Sequence, residues 1–428
     1  MKKLQTKGRF LAWEDETPFF YLGDTAWELF HRLSKEEIAL YLKTRAAQGY
    51  TVIQAVALAE FEGVTVPNAY GRLPLCFTDA IPDPTRPDTE GEYSYWDHVD
   101  YAIALAAELG LFVALLPTWG DKYNLLWGKG PVIFNEENAY LYGQWIARRY
   151  KDQWNILWML GGDRPLQEEA HHRIIDQMAR GIREIDKDHL ITFHPPGNTD
   201  STDFVGDREY IDFHTSQTGH NVGKCYASPE VMQKMAAASQ KPYMDSEPRY
   251  EDHPACFNAN LGYYWNADDL RQNAYWSLLS GVCGHTYGNH CVWGFNREAT
   301  AYFPFPWQEV LTHPGAVQMG YMKKLRLSRD YFSLVPIPEL VAGQGFGMGQ
   351  MAAAKGEHYA YIYAPLGIPF TVELGIFPEA KALKGYWFDP RTGEETLFGI
   401  LPRSAPFTFA PPTQGKGQDW LLILEAVL

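Results

Sequence analysis

Two acidic side chains follow apolar segments at points where a strand would end. Asp163 comes directly after Leu160-Gly161-Gly162, and Glu247 comes after Met244-Asp245-Ser246. Two carboxyl groups that flank a sugar can hydrolyse its glycosidic bond, because one protonates the leaving oxygen while the other attacks the anomeric carbon or activates water. The two glycines before Asp163 would let a substrate approach the backbone closely. The pair therefore predicts glycoside hydrolysis.

Each carboxylate also has a purely structural interpretation. Asp163 could cap the following helix or pair with Arg164, and Glu247 could pair with Arg249. We favour the catalytic interpretation because both groups lie at strand ends, where the active sites of parallel barrels are built.

The elements that must position the two groups alternate between strand and helix from about residue 19 to residue 330. Ser34 and Glu37 form a capping-box pattern, and the helix that they open ends at Gly49. The apolar run Leu111–Trp119 is typical of a strand buried on both faces. About eight such alternations predict a (β/α)₈ barrel. The alternative, an open doubly wound sheet, lacks the expected Gly-x-Gly-x-x-Gly after its first strand.

The predicted strands of this barrel are 19–24, 50–58, 111–119, 155–163, 190–197, 211–220, 242–250 and 282–290. The predicted helices are 34–49, 97–110, 135–151, 168–186, 228–240, 268–281 and 307–329.

Other polar and aromatic side chains lie at or just beyond the predicted strand ends: Asp24, Trp27, Trp119, His194, Gln217, His285, Tyr287 and Trp293. We expect these side chains to supply the walls and hydrogen bonds of a sugar site. Aromatic residues make up 15% of the chain, with 14 Trp and 26 Tyr, and flat rings stack well on the apolar faces of sugars. Large α/β cores also use many aromatics, and the histidines could equally be core residues with satisfied hydrogen bonds.

The pattern changes after Val335-Pro336-Ile337-Pro338, which interrupts the alternation. Beyond it, alternating segments such as His358–Ala364 predict strands, and Asp389–Gly393 has the residues of a turn. We predict a barrel over residues 1–330 and a small antiparallel β-sandwich over residues 335–428.

Composition excludes some partners. Lys and Arg total 37 and Asp and Glu total 52, a formal net charge of −15, which argues against nucleic acid and anionic membranes. No apolar run is long enough to span a bilayer. The basic N-terminus lacks an apolar signal-peptide core, so we expect a cytoplasmic protein, or a periplasmic or secreted one if this is a mature chain. The sequence leaves the oligomeric state open.

Metals and cofactors are not expected. The five cysteines, which include Cys225, are scattered and odd in number, so they predict neither a disulfide framework nor a zinc site. The first strand offers no His-x-His that would support the alternative of a metal-dependent barrel hydrolase.

Three stretches of the sequence resemble the apiosidase-like glycoside hydrolases, that is, glycoside hydrolase family 140 and its relatives. These stretches are Phe20–Trp27, Gly161-Gly162-Asp163 and Ser246–Glu251. The segment Trp387–Gly393 is similar to the β-domain, labelled as collagen-binding, that commonly follows this barrel.

The resemblance implies a retaining mechanism, with Asp163 as the acid/base and Glu247 as the nucleophile. It places Asp24 and Trp27 in the substrate pocket, with His194, Gln217, His285 and Tyr287 as further candidates. Most barrels of this clan carry Asn-Glu at the end of strand four, whereas this chain has Gly-Asp, as the family does. The family name suggests apiose-containing pectin side chains as substrate. The remaining alternative is a binding protein, either a barrel that holds a glycan without cleaving it or a β-domain that adheres to a matrix protein.

Overall fold

The computed structural model describes residues 3–206, 208–221, 228–343, 345–403 and 406–428. Eight parallel strands form its centre: β1 Tyr21–Thr25, β2 Val52–Leu58, β3 Phe112–Thr118, β4 Ile156–Gly161, β5 Ile191–His194, β6 His214–Gln217, β7 Tyr243–Asp245 and β8 Gly284–Tyr287. Their order in the sheet is β5-β4-β3-β2-β1-β8-β7-β6. The barrel closes between β5 and β6, where the backbone N–H of Asp212 donates to the carbonyl of Ile191 at 2.8 Å. The predicted (β/α)₈ barrel is confirmed.

Among the described residues, seven helices longer than ten residues surround the barrel: α1 Lys35–Gln48, α2 Tyr95–Glu108, α3 Glu136–Tyr150, α4 Glu169–Ile185, α5 Ser228–Ala238, α6 Ala267–Leu279 and α7 Pro314–Leu327. The predicted capping box at α1 is present, because the Ser34 hydroxyl accepts from the Glu37 N–H and the Glu37 carboxylate accepts from the Ser34 N–H. Asn135 caps α3 in the same reciprocal way with Asn138. Within the described residues, no helix combines the length and the apolar character needed to cross a bilayer.

Two sets of predicted bounds were wrong. The last helix begins at Pro314 instead of residue 307, because proline lacks the N–H that a continuing helix requires and is favoured in a first turn. The strands predicted at 190–197, 211–220, 242–250 and 282–290 pair only over β5, β6, β7 and β8. The residues after each strand are still buried at the barrel mouth, so hydrophobic pattern alone does not mark where the pairing stops.

Antiparallel strands form the C-terminal part of the chain. A six-stranded sheet consists of Val335–Pro336, Ala352–Lys355, Tyr359–Ala364, Trp420–Val427, Ala382–Phe388 and Glu395–Leu401, in that order. A three-stranded sheet consists of Val341–Ala342, Phe370–Glu373 and Pro406–Phe409. The predicted β-sandwich class is therefore correct.

The strand Tyr359–Ala364 packs against two different cores. Tyr359, Tyr361 and Tyr363 belong to the core that is continuous with the barrel, whereas Ala360 and Ile362 belong to a separate core between the C-terminal sheets. Successive side chains of a strand point to opposite faces, so the alternating sequence places the tyrosines against the barrel.

A buried ion pair also joins the sandwich to the barrel. The Arg271 guanidinium on α6 donates to both carboxylate oxygens of Asp419, with Nη2–Oδ1 2.6 Å and Nε–Oδ2 3.0 Å. The Tyr363 hydroxyl donates to Asp419 Oδ2 at 3.1 Å, and its ring stacks on Tyr275 of α6. The two parts of the chain are thus packed together across a specific polar contact.

Candidate active site

A cleft of about 650 Å³ opens at the carboxyl ends of the barrel strands. Six of the ten side chains singled out in the sequence line it: Trp27, Trp119, Asp163, Gln217, Glu247 and Trp293. Both candidate catalytic carboxylates therefore face one cavity, at the end of the barrel where such sites are built.

The end of β4 makes a sharp turn that brings Asp163 to the cleft. Gly161, Gly162 and Asp163 all have left-handed backbone, with φ of +90°, +105° and +57°. A Cβ on Gly161 would lie 2.4 Å from the carbonyl oxygen of His194, and one on Gly162 would lie 2.7 Å from the backbone nitrogen of Gly120. Only glycine fits both positions, so the Gly-Gly pair fixes where the Asp163 side chain begins.

The Asp163 carboxyl group is held by two donors at one oxygen. Arg164 Nη1 lies 2.8 Å from Oδ2, and the indole N–H of Trp127 donates to the same atom at 3.2 Å. Burial raises the pKa of Asp163, and the nearby negative charge of Glu247 raises it further, against the opposing effects of Arg164 and His194. A carboxyl group with a raised pKa retains its proton closer to neutral pH, as a general acid requires.

Glu247 lies between two histidines. His220 Nε2 is 3.1 Å from Oε1, and His194 Nε2 is 3.0 Å from Oε2. Burial by itself raises the pKa of Glu247, but the contacts with these histidines outweigh it and lower the pKa to about 2. The Glu247 carboxylate is therefore ionised over the physiological range. The Asp245 carboxylate stabilises the backbone at the end of β7 by accepting a hydrogen bond from the Glu247 N–H at 3.3 Å.

Aromatic rings form the floor of the cleft. The rings of Trp27 and Trp119 lie 5.0 Å apart, and Trp27 meets the imidazole of His194 edge-on at 5.2 Å. The Trp27 indole donates to the Tyr250 hydroxyl at 3.0 Å. Such a floor suits the apolar face of a sugar ring.

A row of three histidines, His220, His253 and His290, forms one wall. The ring centroids of His220 and His253 are 4.3 Å apart, and those of His253 and His290 are 4.4 Å apart. Burial lowers the pKa of His290 to about 3 and also lowers that of His253. Those two rings are neutral near pH 7, so they offer hydrogen bonds without charge. Among the described residues, no group of three or more His, Cys, Asp or Glu side chains is arranged to hold a metal ion.

A family model described as "Apiosidase-like, catalytic domain" matches residues 5–333 of the chain. The chain belongs to the apiosidase-like family. A second model, described as "Putative collagen-binding domain of a collagenase", matches residues 335–425. No curated protein matches the chain.

Solved structures place this apiosidase-like protein among the glycoside hydrolases. A structure named as a glycoside hydrolase is 31% identical, with a TM-score of 0.89 over 99% of this chain and 97% of that one. A glycoside hydrolase family 5 protein from Bacteroides vulgatus ATCC 8482 is 32% identical, with a TM-score of 0.89 over 99% and 93%. A β-L-arabinopyranosidase from Geobacillus stearothermophilus, 12% identical with a TM-score of 0.56 over 96% and 97%, shares the fold.

Three of the expected substrate contacts lie away from the cleft of this apiosidase-like barrel. The Asp24 carboxylate accepts from Tyr41 and Arg45 of α1, and the Tyr287 hydroxyl donates to Glu251 at 2.7 Å. Asp24 and Tyr287 are partners in the β1–β8 register, so their side chains point to the same face, the one covered by α1. His285 precedes Tyr287 by two residues and shares that face. It is buried, and its pKa is lowered by burial to about 3.

His194 does not line the cleft either, but it reaches the site through Glu247. The apiosidase-like cleft also contains residues that the sequence did not single out, chiefly Glu60, Trp127 and His253. Glu60 lies 4.0 Å from Arg164 Nη2. Burial and the negative charge of Glu28 raise the pKa of Glu60 well above its usual value. These three residues come from loops, where hydrophobic periodicity gives no signal.

Proposed function

We propose that this protein is a retaining O-glycosidase in which Asp163 is the acid/base and Glu247 is the nucleophile. The observation that carries the proposal is that both carboxyl groups line one cleft at the barrel mouth and lie in opposite surroundings, which raise the pKa of Asp163 and lower that of Glu247 to about 2. Environments that separate the pKa values of two carboxyl groups assign the acid and base roles.

The reaction takes two displacements. In the first, a Glu247 oxygen forms a bond to the anomeric carbon while Asp163 gives its proton to the glycosidic oxygen, and the leaving group departs as an alcohol. In the second, the Asp163 carboxylate removes a proton from water as the water oxygen bonds to the anomeric carbon, and Glu247 is released as a carboxylate. Retention requires carboxyl groups about 5–5.5 Å apart, whereas inversion requires roughly 6.5–9.5 Å. We propose the short separation.

The pair His194 and His220 supports the nucleophile role. Both imidazoles contact Glu247 through Nε2, so they stabilise its anionic form and orient its oxygens. Arg164 and Trp127 hold Oδ2 of Asp163, which leaves Oδ1 as the oxygen available for proton transfer.

For the substrate, we propose a neutral sugar on a plant or bacterial polysaccharide side chain, with apiose as the first candidate. The family assignment supports apiose. The Trp27–Trp119 floor and the neutral His253–His290 wall suit an uncharged ring, because they combine stacking surface with hydrogen-bonding groups.

Released reducing sugar, measured on a panel of aryl glycosides and plant or bacterial glycans, tests the activity. Proton NMR of the first product then reports the anomeric configuration, and retention is expected. An inverted product would overturn the retaining assignment and make Glu247 a general base. Glycan binding by Glu247→Gln, together with an absence of turnover by the wild type on every substrate, would instead indicate a binding protein.

A further inference from the structure

Trp127 presents an exposed indole ring beside the acid/base. Its side chain is 64% exposed although the ring lines the cleft. Its indole N–H donates to Asp163 Oδ2 at 3.2 Å, and the Arg164 guanidinium lies over the ring at 5.0 Å. A large aromatic surface left open to the cleft is suited to contact with a ligand.

The loop that carries Trp127 is held firmly in place. Lys122 and Asp121 form a fully buried ion pair, and Lys122 Nζ also donates to the carbonyl oxygens of Gly130, at 3.0 Å, and Phe61, at 3.3 Å. Gly128 packs so closely that a Cβ there would lie 2.2 Å from the Cβ of Asp121. These buried contacts anchor the loop on both sides of the ring.

The backbone at Trp127 itself is unfavourable. Its φ is +40°, a left-handed conformation that bulky residues rarely adopt. Strained residues of this kind persist where the surrounding structure enforces them, and they cluster at ligand-binding positions. Simple packing does not explain the strain, because most of the indole is in contact with solvent.

We infer that Trp127 is the platform on which the leaving group stacks, and that this leaving group is itself a sugar ring. The inference rests on the proposed function. The acid/base must face the glycosidic oxygen. The Trp127 ring is hydrogen-bonded to Asp163 Oδ2, so it lies beside the acid/base, on the leaving-group side of the bond. A sugar ring provides a flat apolar face for the indole, which a small alcohol does not.

Kinetics on two substrates with the same glycone test this platform: methyl apioside, whose leaving group is a small alcohol, and an apiosyl disaccharide. For Trp127→Ala, kcat/KM should fall about tenfold on the disaccharide and less than about threefold on the methyl apioside, as expected for loss of one stacking contact. Trp127→Phe keeps a ring but removes the N–H donor to Asp163, so it should retain most of the disaccharide activity. Leu125→Ala, an exposed position in the same loop, is the matched control and should match the wild type.

Two kinetic results would overturn the platform. Equal losses on both substrates would assign Trp127 a structural role, and equal losses for the Phe and Ala variants on the disaccharide would assign it only the hydrogen bond to Asp163.

Binding to inactive protein separates this inference from the proposed function. In a Glu247→Gln background, calorimetry with the disaccharide should show Kd raised about tenfold by Trp127→Ala and unchanged by Leu125→Ala. The same Kd in all three proteins, or no binding when Trp127 is intact, would overturn the platform. If the wild type binds the disaccharide but hydrolyses neither substrate, the proposed function fails while the binding comparison still decides the role of Trp127.

Discussion

His194 Nε2 and Glu247 Oε2 lie 3.0 Å apart, although β5 and β7, from whose ends they come, are not neighbours in the barrel. Strand β6 separates them, and its extension supplies His220 to the other oxygen of the same carboxylate. Three successive strand ends therefore converge on one negative charge. This convergence explains why Glu247 is ionised in spite of its burial.

The two carboxylates should respond differently to truncation. Glu247→Ala should abolish turnover of all substrates, on the order of a thousandfold or more, because no covalent intermediate can form. Asp163→Ala should retain activity on glycosides with good leaving groups, which need little protonation. Steady-state kinetics on a series of aryl glycosides with graded leaving-group pKa measures the difference. Azide added to Asp163→Ala should yield a glycosyl azide of retained configuration, and an inverted azide would contradict the assignment.

Activity should depend on pH through both groups. The kcat/KM should rise with pH as Glu247 ionises, and it should fall again as pH passes through the raised pKa of Asp163, because the acid must be protonated. His220 helps to lower the pKa of Glu247, so His220→Asn should move the acidic limb upward by roughly one pH unit. His172→Asn, on α4 and away from the cleft, is the control. An unchanged acidic limb in His220→Asn would mean that His220 does not tune the nucleophile.

The ion pair between the barrel and the β-sandwich should matter for stability. Asp419→Ala would remove the bidentate carboxylate partner of the buried Arg271 guanidinium and leave only the longer ion pair with Asp268, at 3.3 Å, which should lower the free energy of unfolding by up to about 3–5 kcal/mol. Glu395→Ala removes a partly exposed carboxylate from Arg329 and should cost less than about 1 kcal/mol. Denaturant midpoints of both variants provide the comparison. Similar midpoints would show that the buried pair contributes no more than a surface contact.

Chelation should leave the activity intact. A carboxylate pair performs both displacements without a metal ion, so prolonged dialysis against a strong chelator should change kcat by less than about twofold. The assay should use the same glycoside before and after dialysis. Loss of activity that a divalent cation restores would contradict the proposed mechanism and favour the metal-dependent alternative.

The sequence was sufficient to predict the barrel, because capping boxes and buried strands are local signals that tertiary packing did not override. It was not sufficient to predict which way individual side chains point. Asp24, His285 and Tyr287 lie on one face of β1 and β8, and a strand buried on both faces has no polar alternation from which to read that face. Trp127 and His253 reach the cleft from loops whose paths depend on distant contacts, such as the hydrogen bond from Lys122 Nζ to the carbonyl of Phe61.

The strand Tyr359–Ala364 contributes alternate residues to two cores, so division of the chain at the start of the β-sandwich would uncover residues of the core that is shared with the barrel. A protein truncated after residue 334 would leave uncovered the part of the barrel that the tyrosines contact, and an isolated C-terminal fragment would display those tyrosines to water. Each fragment would therefore expose an apolar surface that favours aggregation. We therefore expect that the chain cannot be cut at Val335-Pro336 into two soluble pieces, and that the intact chain melts as one cooperative unit.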